Sequence, residues 1–123
     1  MTDEAARQLE FPALAWLETL LQQTDGTPLR IIAFMPVHIA AQPGPGSESA
    51  ARYAVCRDRI AALAKSHGVP VIDFAIASDV TSNDWNYWDP LHYRLPIAGR
   101  IIEGLKEAMV TGQDSPGGLY KLR

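Results

Sequence analysis

The chain has 123 residues, 47% hydrophobic and 20% charged, which fits one small folded domain with a limited core and argues against disorder over most of its length. Its formal charge of -3, with a pI near 5.5 and no block of Lys or Arg, excludes the electrostatic footprint of a nucleic-acid binder. No apolar run approaches the roughly 20 residues needed to span a bilayer, so no membrane partner is expected.

The first residues, Met1-Thr2-Asp3-Glu4, lack a basic segment followed by an apolar one, so no signal peptide is visible and a cytoplasmic location is expected. Helical periodicity begins in residues 4 to 23, where Leu14, Leu17 and Leu21 form one stripe with Trp16 and Leu20 beside it. Pro12 suits a first turn, which starts the main helix near Phe11 and leaves residues 1 to 10 as an arm or separate turn. After the break at Thr24 to Pro28, the short apolar run Leu29 to Met35 reads as a buried strand ended by Pro36.

Pro43-Gly44-Pro45-Gly46 marks a loop, and Ser47 is a suitable N-cap for a helix to about His67, with Tyr53, Cys56, Ile60 and Leu63 facing inward and Gly68 as its left-handed stop. Cys56 is the only cysteine, which excludes an intrachain disulfide and a multi-cysteine zinc site; its place on the apolar stripe suits a small buried hydrophobe. Val69 to Phe74 reads as a second buried strand. Residues 75 to 95 show no periodicity, and a segment of that length in so small a domain points to function. Pro96 then opens a last helix with Ile97, Ile101, Leu105 and Ala108 inward and Gly112 as its stop. Residues 1–112 are thus expected to form a single α/β domain, and 113–123, with Pro116-Gly117-Gly118, a flexible tail.

The order helix, strand, helix, strand, helix implies two parallel strands joined by a right-handed crossover. Parallel strands need cover on both faces and both edges, and two strands do not complete such a sheet. A homodimer or a partner chain is therefore expected to complete it.

In such a sheet, ligands bind outside the carboxyl ends of the strands, where both unusual loops emerge. His38 follows the first strand, and Trp88-Asp89-Pro90-Leu91-His92-Tyr93 leads into the last helix. An Asp three residues before a His can hold one ring nitrogen and prepare the other as a general base, so Asp89 and His92 are the candidate catalytic residues. The competing readings are an Asx-type turn for Asp89 and a structural helix- or loop-capping His92. His38, Trp85 and Trp88 are candidate substrate-binding residues, the aromatics, with Tyr87, forming a wall or lid. His38 also reads as a hydrogen-bond partner for loop backbone, or as a metal ligand with Asp89 and His92. Asp73 is expected to cap the turn after the second strand, His67 to be a solvated helix-end cation, and Asp79 and Asp84 to be loop acids in water. Ser78 and Ser82 lie in the right loop, but no Gly-x-Ser-x-Gly or Gly-Asp-Ser elbow is present to expose a serine nucleophile.

Asp89 and His92, with Leu29 to Pro36 and Gly68-Val69-Pro70-Val71-Ile72-Asp73-Phe74 ahead of them, resemble the C-terminal part of the SGNH (GDSL-like) hydrolase superfamily over about residues 9 to 110. The runs Met35-Pro36-Val37-His38 and Asp89-Pro90-Leu91-His92-Tyr93 further resemble members that act as O-acyltransferases. The resemblance implies a partial flavodoxin-like, three-layer α/β fold, with Asp89 and His92 as the acid/base pair and no cofactor. It also implies a nucleophilic Ser from a Gly-Asp-Ser block and oxyanion-hole Gly and Asn residues, in blocks this chain lacks. The helix glycine common in the family about five residues after the His stands seven after it here, at Gly99. The expected function is that of the Asp/His-bearing part of an SGNH-like esterase or O-acyltransferase, inactive alone. The alternative is a non-catalytic remnant serving as an oligomerisation or partner-binding module.

Overall fold

The computed structural model describes residues 1–123 and shows a mixed α/β chain with four α-helices and two small sheets, one containing a parallel strand pair. No helix is long and apolar enough to cross a membrane. The chain divides into two compact units, residues 1–31 with 43–70, and residues 32–42 with 71–123.

The first unit is helical. Helix α1 (Asp3–Gln8) is capped by Thr2, whose Oγ1 accepts the Ala5 N–H at 3.1 Å, and carries acids in its first turn and Arg7 in its last, matching the helix dipole. Helix α2 (Ala13–Gln23) starts after Pro12, as the sequence suggests, with Leu21 buried, Leu14 and Leu17 half-buried, and Trp16 and Leu20 exposed. Helix α3 (Glu48–Ser66) begins where Ser47 Oγ accepts the Ala50 N–H at 3.0 Å and ends before Gly68 at φ +67°. Tyr53, Cys56, Ile60 and Leu63 are each half-buried, and Cys56 borders an apolar groove with Phe11, Leu14, Leu17 and Ile60.

Two arginines satisfy the carbonyls that helix ends leave without partners. Arg59 donates to the carbonyls of Ala6 at 2.8 Å, Arg7 at 3.2 Å and Leu9, with its guanidinium over the Phe11 ring. Arg30 donates to Leu21 O at 2.8 Å and His67 O at 2.9 Å, joining the C-terminal ends of α2 and α3. His67 is accordingly a half-buried helix-end residue, where the sequence suggested a solvated one.

The second unit is built on a three-stranded sheet whose central strand is β2 (Val71–Asp73), with β1 (Ile32–Phe34) parallel to it on one side in the register Ile32 to Val71 and Phe34 to Asp73. The expected parallel pair is present. Its third member corrects the tail: β5 (Lys121–Leu122) runs antiparallel to β2, pairing Ile72 with Leu122 and Asp73 with Lys121. Residues 113–123 are therefore folded back and are not a loose end. Three anchors account for this: the fully buried Tyr120 ring packed 5.7 Å from Phe74, Asp114 Oδ1 accepting the Leu122 N–H at 2.9 Å, and an ion pair of Arg123 Nε with the buried Asp73 carboxylate at 2.6 Å. Asp73 also accepts the Ala75 N–H at 2.9 Å, capping the following turn as expected.

Residues 75–95 also hold more order than their pattern suggests. Short single turns of 3-10 helix occur at Ile39–Ala41 and Asp84–Asn86, and β3 (Tyr87–Asp89) pairs with β4 (His92–Tyr93) in an irregular antiparallel hairpin. Helix α4 (Leu95–Thr111) follows, with Pro96 in its first turn and Gly112 at φ +61° as its stop. Its buried face is Ile97, Ile101, Gly104 and Ala108, while Leu105 is only half-buried. Gly104 permits the close approach of helix and strand end: a Cβ there would lie 2.9 Å from the Phe74 ring.

Candidate active site

All the candidate residues lie in the second unit. Asp89 and His92 face each other across the irregular β3–β4 hairpin, with His92 Nδ1 at 2.7 Å from one Asp89 carboxylate oxygen and 2.9 Å from the other. The same carboxylate accepts the backbone N–H groups of Leu91 at 2.8 Å and His92 at 3.2 Å. The Asx turn and the Asp–His pair are thus one arrangement: the turn that Asp89 makes before Pro90 brings the His92 ring back onto its carboxylate. The Leu91 N–H and then the His92 ring stabilise the ionised form and hold the Asp89 carboxyl below its usual range. With an ionised carboxylate at Nδ1, the neutral His92 ring carries its proton on Nδ1 and leaves Nε2 as the basic nitrogen.

The two loops meet through the backbone. His38 N–H donates to Pro90 O and Ile39 N–H to Thr81 O, each at 2.8 Å, so the exit from β1 is bonded to both the start and the end of the loop that carries Asp89. The His38 side chain serves a separate purpose. Its Nδ1 accepts the Ala40 N–H at 3.1 Å, which places the proton of the neutral ring on Nε2, from which it donates to Asp84 at 2.9 Å. Its ring meets Tyr87 edge-on at 5.2 Å. Asp84 is therefore a partner of His38 and not only a loop acid in water. Both His38 nitrogens are engaged away from Asp89 and His92, and no group of three or more His, Cys, Asp or Glu side chains is placed to hold a metal ion, which removes the three-ligand reading.

His38, Ala40, Asp84, Tyr87, Trp88, Asp89 and Pro90 line an open cleft of about 270 Å³. Trp88 stands at its wall with the Arg94 guanidinium 4.1 Å over its ring, and Arg94 Nε donates to Tyr87 O at 3.2 Å. Tyr87 is the buried member, its hydroxyl donating to Pro36 O at 3.3 Å and its phenol raised above its usual pKa by burial. Trp85 is exposed on the adjacent turn and does not line the cleft. Asp84 and Arg94 join the residues that the sequence outlined. The His38–Asp84 contact spans 46 positions and leaves no local pattern by which to find it.

The pair is open to water, with the His92 side chain 72% and the Asp89 side chain 52% exposed. Ser78 and Ser82 are engaged in their own loop: Ser82 Oγ donates to Ser78 O at 2.6 Å, while Ser78 Oγ accepts the Thr81 N–H at 3.2 Å. Neither is hydrogen-bonded to His92. Comparison with protein families, with curated proteins and with solved structures finds no match to this chain.

Proposed function

We propose that this chain is the acid/base-bearing portion of an SGNH-like esterase or O-acyltransferase, with a partial flavodoxin-like fold, and that it acts on a serine supplied by another polypeptide. The observation that carries this reading is the 2.7 Å contact of Asp89 with His92 Nδ1, which leaves Nε2 facing outward as the basic nitrogen. In the reaction, His92 Nε2 takes the proton of the incoming serine hydroxyl as Oγ bonds to the ester carbonyl carbon. Collapse of the tetrahedral intermediate breaks the bond to the leaving alkoxide, which receives that proton from Nε2. Water or an acceptor hydroxyl, deprotonated by the same nitrogen, then bonds to the acyl carbon, and the bond from that carbon to Oγ breaks as Nε2 returns the proton to the serine. Asp89 orients the ring and stabilises its cation throughout. His38 and Trp88 line the substrate cleft.

The partner's place is the outer edge of β1, since the sheet order leaves β1 with one neighbour and its residues half-buried. The same edge and the missing Gly-Asp-Ser block favour one second reading, a non-catalytic remnant that binds a partner or a second copy. Addition of a polypeptide carrying a Gly-Asp-Ser block, followed by an acetyl-ester hydrolysis assay, separates the two. The first reading expects hydrolysis that falls roughly 10²- to 10⁴-fold in His92→Ala. Hydrolysis indifferent to His92 rejects it.

A further inference from the structure

Helix α4 carries two apolar stripes, and only one is used within the chain. Ile97, Ile101, Gly104 and Ala108 are buried. Leu95, Ala98, Ile102, Leu105 and Met109 follow one another at intervals of three, four, three and four residues, the spacing of a coiled-coil seam. This second stripe faces outward: Leu95 is 84%, Ile102 53% and Met109 43% exposed, and Ala98 and Leu105 are half-buried. An amphipathic helix needs one such stripe to fold onto its own sheet, so a second marks an interaction face.

We infer that this stripe docks on the same stripe of a second copy, the two α4 helices running antiparallel about a two-fold axis. The stripe is self-complementary in that arrangement. With the axis between positions 103 and 104, Ile102 packs beside the partner copy's leucine at 105 and the small Ala98 lies opposite the long methionine at 109. The charges agree as well. Glu103 and Lys106, exposed on the stripe's flank and 3.1 Å apart within one helix, exchange partners reciprocally across the axis. The seam is a 17-residue helix, about 25 Å long, so the interface is small and the association weak and concentration-dependent. Each His92 lies just ahead of its own α4, so the two Asp89–His92 pairs fall at opposite ends of the seam. The outer edge of β1 remains available, and this inference is independent of whether a serine-bearing chain binds there.

Light scattering on the purified chain over a hundredfold concentration range tests it. The mass should climb from 13.5 kDa towards twice that value. Ile102→Glu should weaken association at least tenfold with unchanged circular dichroism. Glu103→Lys and Lys106→Glu should each weaken it, and the double reversal should restore it. In a Cys56→Ser background, mixing Ala98→Cys with Met109→Cys chains should give a disulfide-linked heterodimer on mild oxidation, a readout that holds even if Ile102→Glu fails to fold. A monomeric mass throughout, a dimer insensitive to both the charge reversals and Ile102→Glu, or no cross-link between positions 98 and 109 would overturn the inference.

Discussion

Asp89 does two things with one carboxylate. It closes the turn at Pro90 by accepting the Leu91 N–H, and it holds His92 Nδ1. An Asp three residues before a His is visible in the sequence because both functions are local. The His38–Asp84 pair is not visible, because it depends on two loops brought together from positions 46 apart. The depressed Asp89 pKa has a definite sign. The group is ionised and bonded in the folded chain at pH values where a free Asp, near 3.9, is already taking up protons. Its contribution to holding the turn is therefore complete above the ordinary carboxylate range and is lost as pH falls through its lower folded value. Carbon-13 NMR of the Asp89 carboxyl should give a midpoint below the ordinary Asp value of about 3.9, and Asp89→Asn should leave the neutral His92 ring without its preference for the Nδ1–H form. A midpoint at or above about 3.9 would show that the turn and ring do not favour the carboxylate.

Among the elements, those with a helical period or a capping residue are legible. Ser47, Pro96, Gly68 and Gly112 stand where the structure begins and ends helices. The hairpin β3–β4 and strand β5 escape because they are two or three residues long, too short for alternation to register. Their order comes from tertiary anchors: Tyr87 and Tyr120 are buried. Helix α4 offers a paired test of packing against propensity. Gly99 has open space around a Cβ, so Gly99→Ala should stabilise by about 0.5–1 kcal/mol. Gly104 has the Phe74 ring 2.9 Å from the Cβ position, so Gly104→Ala should destabilise by about 1 kcal/mol or more despite the same helical gain. Urea denaturation of the two variants reads the opposite signs directly.

For the molecule as a whole, the parallel pair β1–β2 and the α/β class follow from the order of apolar runs, while the third strand does not. The sheet closes one edge of β2 with the chain's own C-terminal residues, secured by Arg123 on the buried Asp73 carboxylate. Arg123→Ala should cost about 1–3 kcal/mol of stability, and removal of residues 119–123 more, both measured by thermal unfolding; an unchanged midpoint would mean that β5 adds nothing to the sheet. The other edge, at β1, and the exposed His92 ring belong to one proposal, in which a second polypeptide docks at that edge and presents its serine to the ring. The most direct measurement is the rate at which a fluorophosphonate labels the serine of an added polypeptide carrying a Gly-Asp-Ser block in the presence of this chain, since that step bonds Oγ to phosphorus and expels fluoride only as the serine loses its proton. Labelling should slow by roughly 10²- to 10⁴-fold when His92 is replaced by Ala; an equal rate in wild type and His92→Ala would contradict the account.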